Sequence, residues 1–257
     1  MKKAILVVSF GTTYEKTRKK CIEGVENRIR SRFSDFEVRR AFTSQMVINK
    51  LKNRDGIVVD NVSEALNRLK KDGFEQIYIQ SLHIIPGHEF EKLIGQVHEF
   101  EEVNKSIHIS IGRPLLFDEG DYEKVINALK IEDLREDEAV VYMGHGTDHI
   151  SDKYYDMLQQ SFRKKGFQRI YIGTVEGKKT IEDIIPVLKE EKIDKVTLKP
   201  FMLVAGDHAT NDMAGDGENS WKSILLKEGF QVETCMTGLG ENERIQELFI
   251  SNLENMI

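Results

Sequence analysis

The chain has 257 residues, of which 40% are hydrophobic and 31% are charged, enough for one large α/β domain or two compact lobes. This composition excludes a fibrous, disordered or miniprotein chain. The 37 basic and 43 acidic side chains give a formal net charge of −6. No extended basic face is therefore expected, and neither nucleic acid nor an anionic membrane is a predicted partner.

The apolar run near the amino terminus, AILVVSF, stops at Gly11 before it reaches the length of a signal peptide, and it is interpreted as a first core strand. No apolar run approaches the ~20 residues that a membrane helix needs. The two cysteines, Cys21 and Cys235, lack the CxxC spacing of a zinc or redox site. Their scarcity and the missing export segment predict a cytoplasmic protein.

Short β-branched runs alternate with amphipathic stretches, a pattern typical of parallel strands joined by crossover helices. In a first lobe, residues 1–130, the pattern predicts the strands AILVVSF, EVRRAF, QIYIQSL and HISIG, and helices over 14–33, 58–72 and 89–104. An acidic segment, IEDLREDE, leads into the second lobe.

The second lobe, residues 131–257, has the same alternation. Its predicted strands are AVVYMG, RIYIGT, KVTLKPFML and QVETCM. Four helices are predicted in this lobe. Two begin at the caps Ser151 and Thr180, and a third spans 211–228. The fourth ends the chain and carries Ile245, Leu248, Phe249 and Leu253 on one face. The last helix is left free to pack on the first lobe.

Three strand ends of the two halves can be superposed by residue, which indicates a duplicated lobe. The three registers set Gly11 on Gly146, Thr43 on Thr174, and Gly87 on Gly206. They place three pairs of residues opposite one another: Phe10 and His145, Gln45 and Glu176, Glu89 and His208.

His145, Glu176 and His208 each follow a predicted strand of the second lobe, spaced by one βα unit. Because ligands collect at the carboxyl ends of parallel strands, these side chains are expected at one rim. Two imidazoles and a carboxylate are a ligand set for Co(II), Fe(II), Ni(II) or Zn(II). Glycines beside them allow sharp turns and close approach of a bulky substrate. The sequence therefore predicts a metal site in this lobe.

Several other motifs fail on inspection. His149 is interpreted as a polar residue of the first helical turn or of the outer shell of the site. HEFEK lacks the second histidine of HExxH, since its fifth residue is Lys92. TGLGENER lacks the third glycine of a dinucleotide loop, and EGKKT lacks the P-loop pattern, so neither ATP nor NAD is an expected cofactor. GxSxG is absent, which removes the serine-hydrolase elbow.

The segments VVSFGTT, SLHIIPGHEF, YMGHGTDH and FMLVAGDHATNDMAGD resemble, over the whole chain, the anaerobic-type sirohydrochlorin cobaltochelatases, which are class II, ATP-independent tetrapyrrole chelatases. The resemblance implies two Rossmann-like α/β lobes with parallel sheets, related by a pseudo-twofold axis and separated by a cleft. It implies Co(II) and sirohydrochlorin as substrates, in anaerobic cobalamin biosynthesis. It also implies the metal ligands His145, Glu176 and His208, with Glu89 at the acidic position across the cleft.

These residue types suit the implied reaction. Imidazole binds a metal or takes a proton near neutral pH, so His145 and His208 can do both, while Glu176 adds a negative charge. Glu89 either accepts a pyrrole proton or is an ordinary first-turn glutamate beside a helix dipole. Sirohydrochlorin carries many carboxylates, for which backbone amides from Ser9 to Thr13 are one candidate partner. Basic candidates near strand ends are Arg113, Lys178, Lys179 and Lys199.

Other functions remain open at this stage. A ferrochelatase or nickel chelatase of the same fold fits the ligand set equally well. A carrier of tetrapyrrole or metal would bind without accelerating metalation. A metal-dependent hydrolase usually has more carboxylate ligands or a second metal site, which the sequence does not show plainly. A periplasmic binding protein is disfavoured because no signal peptide is recognised. A homo-oligomer is also left open.

Overall fold

The first half of the chain alternates strands and helices in a computed structural model that describes residues 2–257. Its strands are β1 (Lys3–Ser9), β2 (Glu37–Phe42), β3 (Gln76–Ser81) and β4 (His108–Ile111). Its helices are α1 (Glu15–Thr17), α2 (Glu23–Arg32), α3 (Gln45–Asp55), α4 (Val62–Lys71), α5 (His88–Val103) and α6 (Glu119–Leu129), with a π-helical segment, Arg18–Ile22, joining α1 to α2.

The second half continues the alternation. Its strands are β5 (Glu138–Gly144), β6 (Ile170–Thr174), β7 (Lys195–Pro200) and β8 (Gln231–Thr234). Its helices are α7 (Lys153–Lys164), α8 (Ile181–Glu190), α9 (Trp221–Lys227) and α10 (Glu243–Glu254). Shorter turns are the 3-10 segments Ile150–Asp152 and Leu239–Glu241 and the π-helical segment Ala209–Met213.

The strands form two parallel four-stranded sheets of identical order, β2-β1-β3-β4 and β6-β5-β7-β8. Strands β1 and β5 are buried along almost their whole length, as expected of a parallel sheet covered by helices. One face of β1 packs in a core with Leu66 of α4 and Leu93 of α5. One face of β5 packs with Ile184 of α8 and Trp221 of α9. The predicted α/β class with a duplicated parallel-sheet lobe is confirmed.

The chain divides into two compact units. One consists of the chain up to Phe117 together with Glu243–Ile257, and the other is Asp118–Asn242. This division sets the boundary after Phe117, where the sequence suggested residue 130, and it places the last helix, which the sequence left free to pack on the first lobe, in the first unit. Helix α6 belongs to the second unit, where the Tyr122 hydroxyl lies 3.4 Å from the Met157 sulfur of α7. Helix α10 belongs to the first unit, where Arg32 of α2 donates to Glu254 at 2.6 Å.

Three local predictions need correction. The helix predicted over 211–228 is wrong: only Trp221–Lys227 is α-helical, because two glycines interrupt residues 214–220 and Ser220 caps a new helix through the Ser223 amide. Ser151 is not the cap of α7, since it lies in a 3-10 turn and donates its amide to the His149 side chain at 3.2 Å. The strand predicted to extend to residue 203 ends at Pro200. The cap at Thr180 is confirmed by a capping box with Asp183.

The superposition of the two halves is confirmed at one pair of strand ends and wrong by one residue at another. The amides that follow β3 and β7 donate in the same way to the central strands: Leu82 to Val8, and Phe201 to Met143. This agrees with setting Gly87 on Gly206. The amides that follow β2 and β6 are Ser44, which donates to the Phe10 carbonyl, and Glu176, which donates to the His145 carbonyl. Ser44, rather than Gln45, is therefore the counterpart of Glu176. The predicted register was wrong by one residue because it rested on a single shared threonine.

Among residues 2–257, no helix combines the length and the apolar character that crossing a bilayer requires.

Candidate metal centre

His145, Glu176 and His208 lie together in the second unit, as the strand-end argument predicts. Each can offer one ligand atom such that all three atoms lie within 4.8 Å of one another. The two imidazole rings are nearly perpendicular, at 89°, with centroids 4.6 Å apart. The Glu176 carboxylate is 3.7 Å from His145 Nδ1. All three side chains retain solvent exposure, so an ion could enter and leave this group.

Backbone contacts between the loops after β5 and β6 place two of these residues side by side. The Glu176 amide donates to the His145 carbonyl at 2.8 Å. Gly146 has φ +79°, and a Cβ there would overlap the backbone of Gly177. The close approach of the two loops therefore depends on glycine at position 146.

Asp152 ties the same two loops together, and sequence reasoning missed it. Its side chain is buried, with 6% of the residue exposed. One carboxylate oxygen accepts from the Thr147 amide at 3.2 Å, and the other accepts from the Lys178 amide at 3.0 Å. No motif marks this aspartate, since it falls at the start of a predicted helix, where acidic residues are common.

Tyr155 packs against the end of β5, where the loop that carries His145 begins. Its ring lies against Gly144, where a Cβ would overlap it. Burial raises the pKa of the Tyr155 hydroxyl to about 12, against the opposing effect of hydrogen bonds from the Gly146 and His145 amides. Tyr155 was expected only as a core residue of α7, yet its ring also packs against the backbone that leads to His145.

His208 is oriented by a second carboxylate. It immediately precedes the π-helical segment Ala209–Met213, and its Nδ1 lies 2.7 Å from Asp212 Oδ2. An imidazole held this way donates from Nδ1 and keeps its Nε2 lone pair for a metal. Sequence reasoning did not single out Asp212, although its spacing of four residues after a histidine on a helical turn was a usable signal.

His145 reaches the same tautomer by another route. Its Nδ1 lies 3.0 Å from the Gly146 carbonyl oxygen, which can only accept, so the ring nitrogen donates and Nε2 keeps its lone pair. The centre thus presents two imidazole nitrogens and one carboxylate, a set suited to borderline divalent ions.

Glu89 belongs to the first unit and lies in the first turn of α5. Its Oε2 is buried and has no hydrogen-bond partner among residues 2–257, and the Lys92 ammonium is 3.8 Å away. An ordinary glutamate in a first helical turn would be solvated. The buried oxygen without a hydrogen-bond partner therefore favours a functional role for Glu89.

The basic candidates have different local surroundings. Lys178 is exposed and uses its amide on Asp152, while burial lowers the pKa of the Lys179 ammonium. Arg113 lies in the first unit, where it is 3.5 Å from Asn252. Lys199 lies in β7 with part of its surface exposed. His149 is occupied locally, as an acceptor for the Ser151 amide.

Comparison with known proteins agrees with this picture. The model of the family described as "Cobalt chelatase (CbiK)" matches residues 3–257. The chain is 39% identical over 259 residues to a protein of Salmonella typhimurium named sirohydrochlorin cobaltochelatase, an alignment that covers 100% of this chain and 97% of that protein. It is 33% identical over 255 residues to sirohydrochlorin cobaltochelatase CbiKC of Nitratidesulfovibrio vulgaris, covering 98% and 89%.

Among solved structures, SirB from Bacillus subtilis with Fe3+ superposes with a TM-score of 0.67 at 16% identity, covering 99% of this chain and 95% of that one. CbiX, described as the terminal enzyme for biosynthesis of siroheme in denitrifying bacteria, superposes with a TM-score of 0.58 at 12% identity and covers 99% of both chains. At these identities the likeness concerns the fold.

Duplicated parallel α/β units, one of them with a His–Glu–His group at its strand ends, define a metal-handling protein of the chelatase fold. The chain belongs to the cobalt chelatase (CbiK) family.

Proposed function

We propose that the protein is a sirohydrochlorin cobaltochelatase that inserts Co(II) into sirohydrochlorin without ATP, in cobalamin biosynthesis. Its family and its full-length relatives support the reaction. The observation that carries the proposal is the convergence of His145, Glu176 and His208 within 4.8 Å in one unit. The two free cysteines fit a reducing compartment, and we place the reaction in the cytoplasm.

The reaction requires that a hydrated dication lose water and that two pyrrole protons leave as the metal–nitrogen bonds form. The Nε2 lone pairs of His145 and His208 bind Co(II) as it sheds water, and Glu176 supplies a negative charge that favours the dication. Nitrogen and oxygen ligands release a borderline ion more readily than thiolates do, which suits a metal that is to be delivered. Once the ion has left, either Nε2 can accept a proton.

Two protons are released for each metal inserted, and a carboxylate of the first unit is a further candidate acceptor. Glu89 fits this role through its buried oxygen without a hydrogen-bond partner. We assign it as the candidate base of the first unit.

The test is an anaerobic assay with purified protein, sirohydrochlorin and Co(II), which follows the absorption change of the macrocycle without ATP and against a blank that lacks protein. A catalysed rate with Co(II) supports the proposal. Fe(II), Ni(II) and protoporphyrin are run in parallel, and a faster reaction with one of these would reassign the metal or the macrocycle. Tight macrocycle binding without acceleration would contradict the proposal in favour of a carrier.

A further inference from the structure

Helix α5 carries a glutamate and a lysine one turn apart near its amino end. Glu89 and Lys92 are separated by three residues, a spacing at which side chains of a helix are neighbours. Lys92 Nζ lies 3.8 Å from Glu89 Oε2, and this is the one ion pair that Glu89 forms among residues 2–257. The distance exceeds that of a hydrogen bond, so the contact is one of charge.

The Lys92 ammonium is fixed by a second contact. It donates a hydrogen bond to the Thr43 carbonyl at 2.6 Å. Thr43 directly follows β2 and is 2% exposed, so a side chain of α5 reaches the end of a strand outside its own βα unit. A lysine on a helix surface ordinarily extends its charged end into water. Here the charged end is held against the backbone of the sheet.

The Thr43 carbonyl is itself held in place by neighbouring strands. The Thr43 amide donates to the Ser9 carbonyl at 2.9 Å, and the Thr43 hydroxyl lies 3.5 Å from His83 Nε2. His83 is anchored in turn, with its Nδ1 2.8 Å from the Ser81 hydroxyl. Thr43 is therefore tied to the ends of β1 and β3 as well as to β2, and it gives Lys92 a rigid acceptor.

Glu89 needs an opposite charge because one of its oxygens is buried. Oε2 is buried and accepts no hydrogen bond among residues 2–257, although 34% of the side chain is exposed. A carboxylate oxygen that loses its water is costly unless a hydrogen bond or an opposite charge replaces that water. Within the described chain the Lys92 ammonium supplies this charge.

The second unit holds its corresponding residue in a related way. The register of the two halves places Glu89 opposite His208. The His208 imidazole is held at 2.7 Å by the carboxylate of Asp212, four residues later, whereas the Glu89 carboxylate is paired with the ammonium of Lys92, three residues later. In each unit a functional group is thus held by a side chain of complementary charge one helical turn further along.

We propose that Lys92 is a positioning residue for Glu89: its ammonium, fixed on the Thr43 carbonyl, holds the carboxylate where it accepts a pyrrole proton. The inference rests on the proposed function, in which Glu89 is a proton acceptor. Lys92 itself takes no part in the proton transfer. A carboxylate released from this charge samples other rotamers, so the acceptor is in place in a smaller fraction of molecules.

The first test removes the charge and then restores it. Lys92→Met keeps a straight side chain that favours a helix. We expect its turnover rate of cobalt insertion at saturating substrates to fall about fivefold, while its dissociation constant for metal-free sirohydrochlorin stays within about twofold of the original. Lys92→Arg keeps a cation and should retain most of the rate. An unchanged rate in Lys92→Met, or equal losses in both variants, would overturn the proposal. A loss of macrocycle binding in place of turnover would also overturn it, by assigning Lys92 to the substrate.

Glu89→Gln tests whether Lys92 acts through the carboxylate. The glutamine variant should retain a slower rate, because His145 and His208 still accept protons. In this background Lys92→Met should change the rate by less than about twofold, since the interaction that it removes is already absent. The same fractional loss in both backgrounds would show that Lys92 only supports the fold, and it would overturn the proposal.

The other end of α5 offers a matched control. Glu102 and Lys105 have the same spacing of three residues and pair at 3.1 Å, with side chains that are 59% and 70% exposed. Lys105→Met removes an equivalent ion pair at the opposite end of the helix and should leave the turnover rate unchanged. If it lowered the rate as much as Lys92→Met does, the effect would belong to the helix in general and the proposal would fall.

Urea unfolding separates a failure of this inference from a failure of the proposed function. The unfolding midpoints of the original protein, Glu89→Gln, Lys92→Met and the double variant are compared, and an interaction between the two side chains makes the shifts non-additive. This measurement needs no chelatase activity, and it also tests the coupling if Glu89→Gln has no measurable rate. Additive shifts would overturn the proposal even in an active chelatase. Non-additive shifts in a protein that does not metalate sirohydrochlorin would refute the proposed function and leave the interaction of Glu89 with Lys92 standing.

Discussion

The Glu176 amide donates to the His145 carbonyl at 2.8 Å, and the side chains of the same two residues approach to 3.7 Å. The hydrogen bond joins the loops that follow two neighbouring strands, β5 and β6. A metal ligand from each loop is therefore held by the same backbone contact, and disturbance of either loop should reach both ligands.

Removal of the carboxylate that ties these loops tests that coupling. Asp152→Ala removes the acceptor of the Thr147 and Lys178 amides, at a cost of about 0.5–1.5 kcal/mol for each hydrogen bond lost. We expect lower stability in urea unfolding and weaker Co(II) binding. Asp152→Asn keeps one acceptor oxygen and should fall between. Full Co(II) affinity in Asp152→Ala would show that the loops hold their positions without it.

Substitution of two glycines that both have positive φ distinguishes the cost of backbone strain from the cost of steric overlap. Gly146 and Gly229 have φ of +79° and +93°, but a Cβ meets the backbone of Gly177 in the first case and open space in the second. Gly229→Ala should cost about 1–2 kcal/mol in the free energy of unfolding. Gly146→Ala should cost about 1–3 kcal/mol more and reduce metalation. Similar costs for the two variants would contradict the close packing of the loops.

The hydrogen bond from His208 to Asp212 should set metal affinity. Asp212→Ala frees the ring to rotate and to change tautomer, and a loss of about 10–100-fold in Co(II) affinity is expected. Asp216→Asn is the control, because Asp216 is exposed and pairs with Lys222. The readout is Co(II) titration followed by absorption of the bound ion. Equal affinities of the two variants would remove Asp212 from the site.

A histidine of the first unit predicts a pH dependence of stability. Burial lowers the pKa of His83 to about 4, below the ~6.5 of an exposed imidazole, so the unfolded chain binds its proton first. The stabilisation is complete above pH 6.5 and is lost as pH falls toward 4, by about 2 kcal/mol at pH 5. His83→Gln should lack this part of the acid sensitivity in urea unfolding, whereas exposed His108→Gln should keep it. Identical pH profiles would contradict the burial of His83.

The sequence predicted most of what periodicity and topology control. Alternating strands and helices indicated the two parallel sheets, and one histidine or glutamate after each of β5, β6 and β7 indicated the metal group, because parallel strands end at the same edge. Helices α3 and α6 were not predicted; α3 buries three apolar side chains, Val47, Ile48 and Leu51.

The residues that support the site were harder to find. Asp152 acts through two backbone amides of loops that are distant in sequence, a contact that no spacing encodes. Asp212 lies in a π-helical turn, where the helix predicted over 211–228 had suggested a regular surface.

The central claim is that His145, Glu176 and His208 hold the metal that is inserted. The most direct test is the anaerobic rate of cobalt insertion into sirohydrochlorin for His145→Ala, His208→Ala and Glu176→Gln, with His108→Gln as control and circular dichroism as the check on folding. We predict that both histidine variants are folded and inactive, that Glu176→Gln is strongly impaired, and that His108→Gln is unaffected. Near-normal rates in both histidine variants would contradict the account.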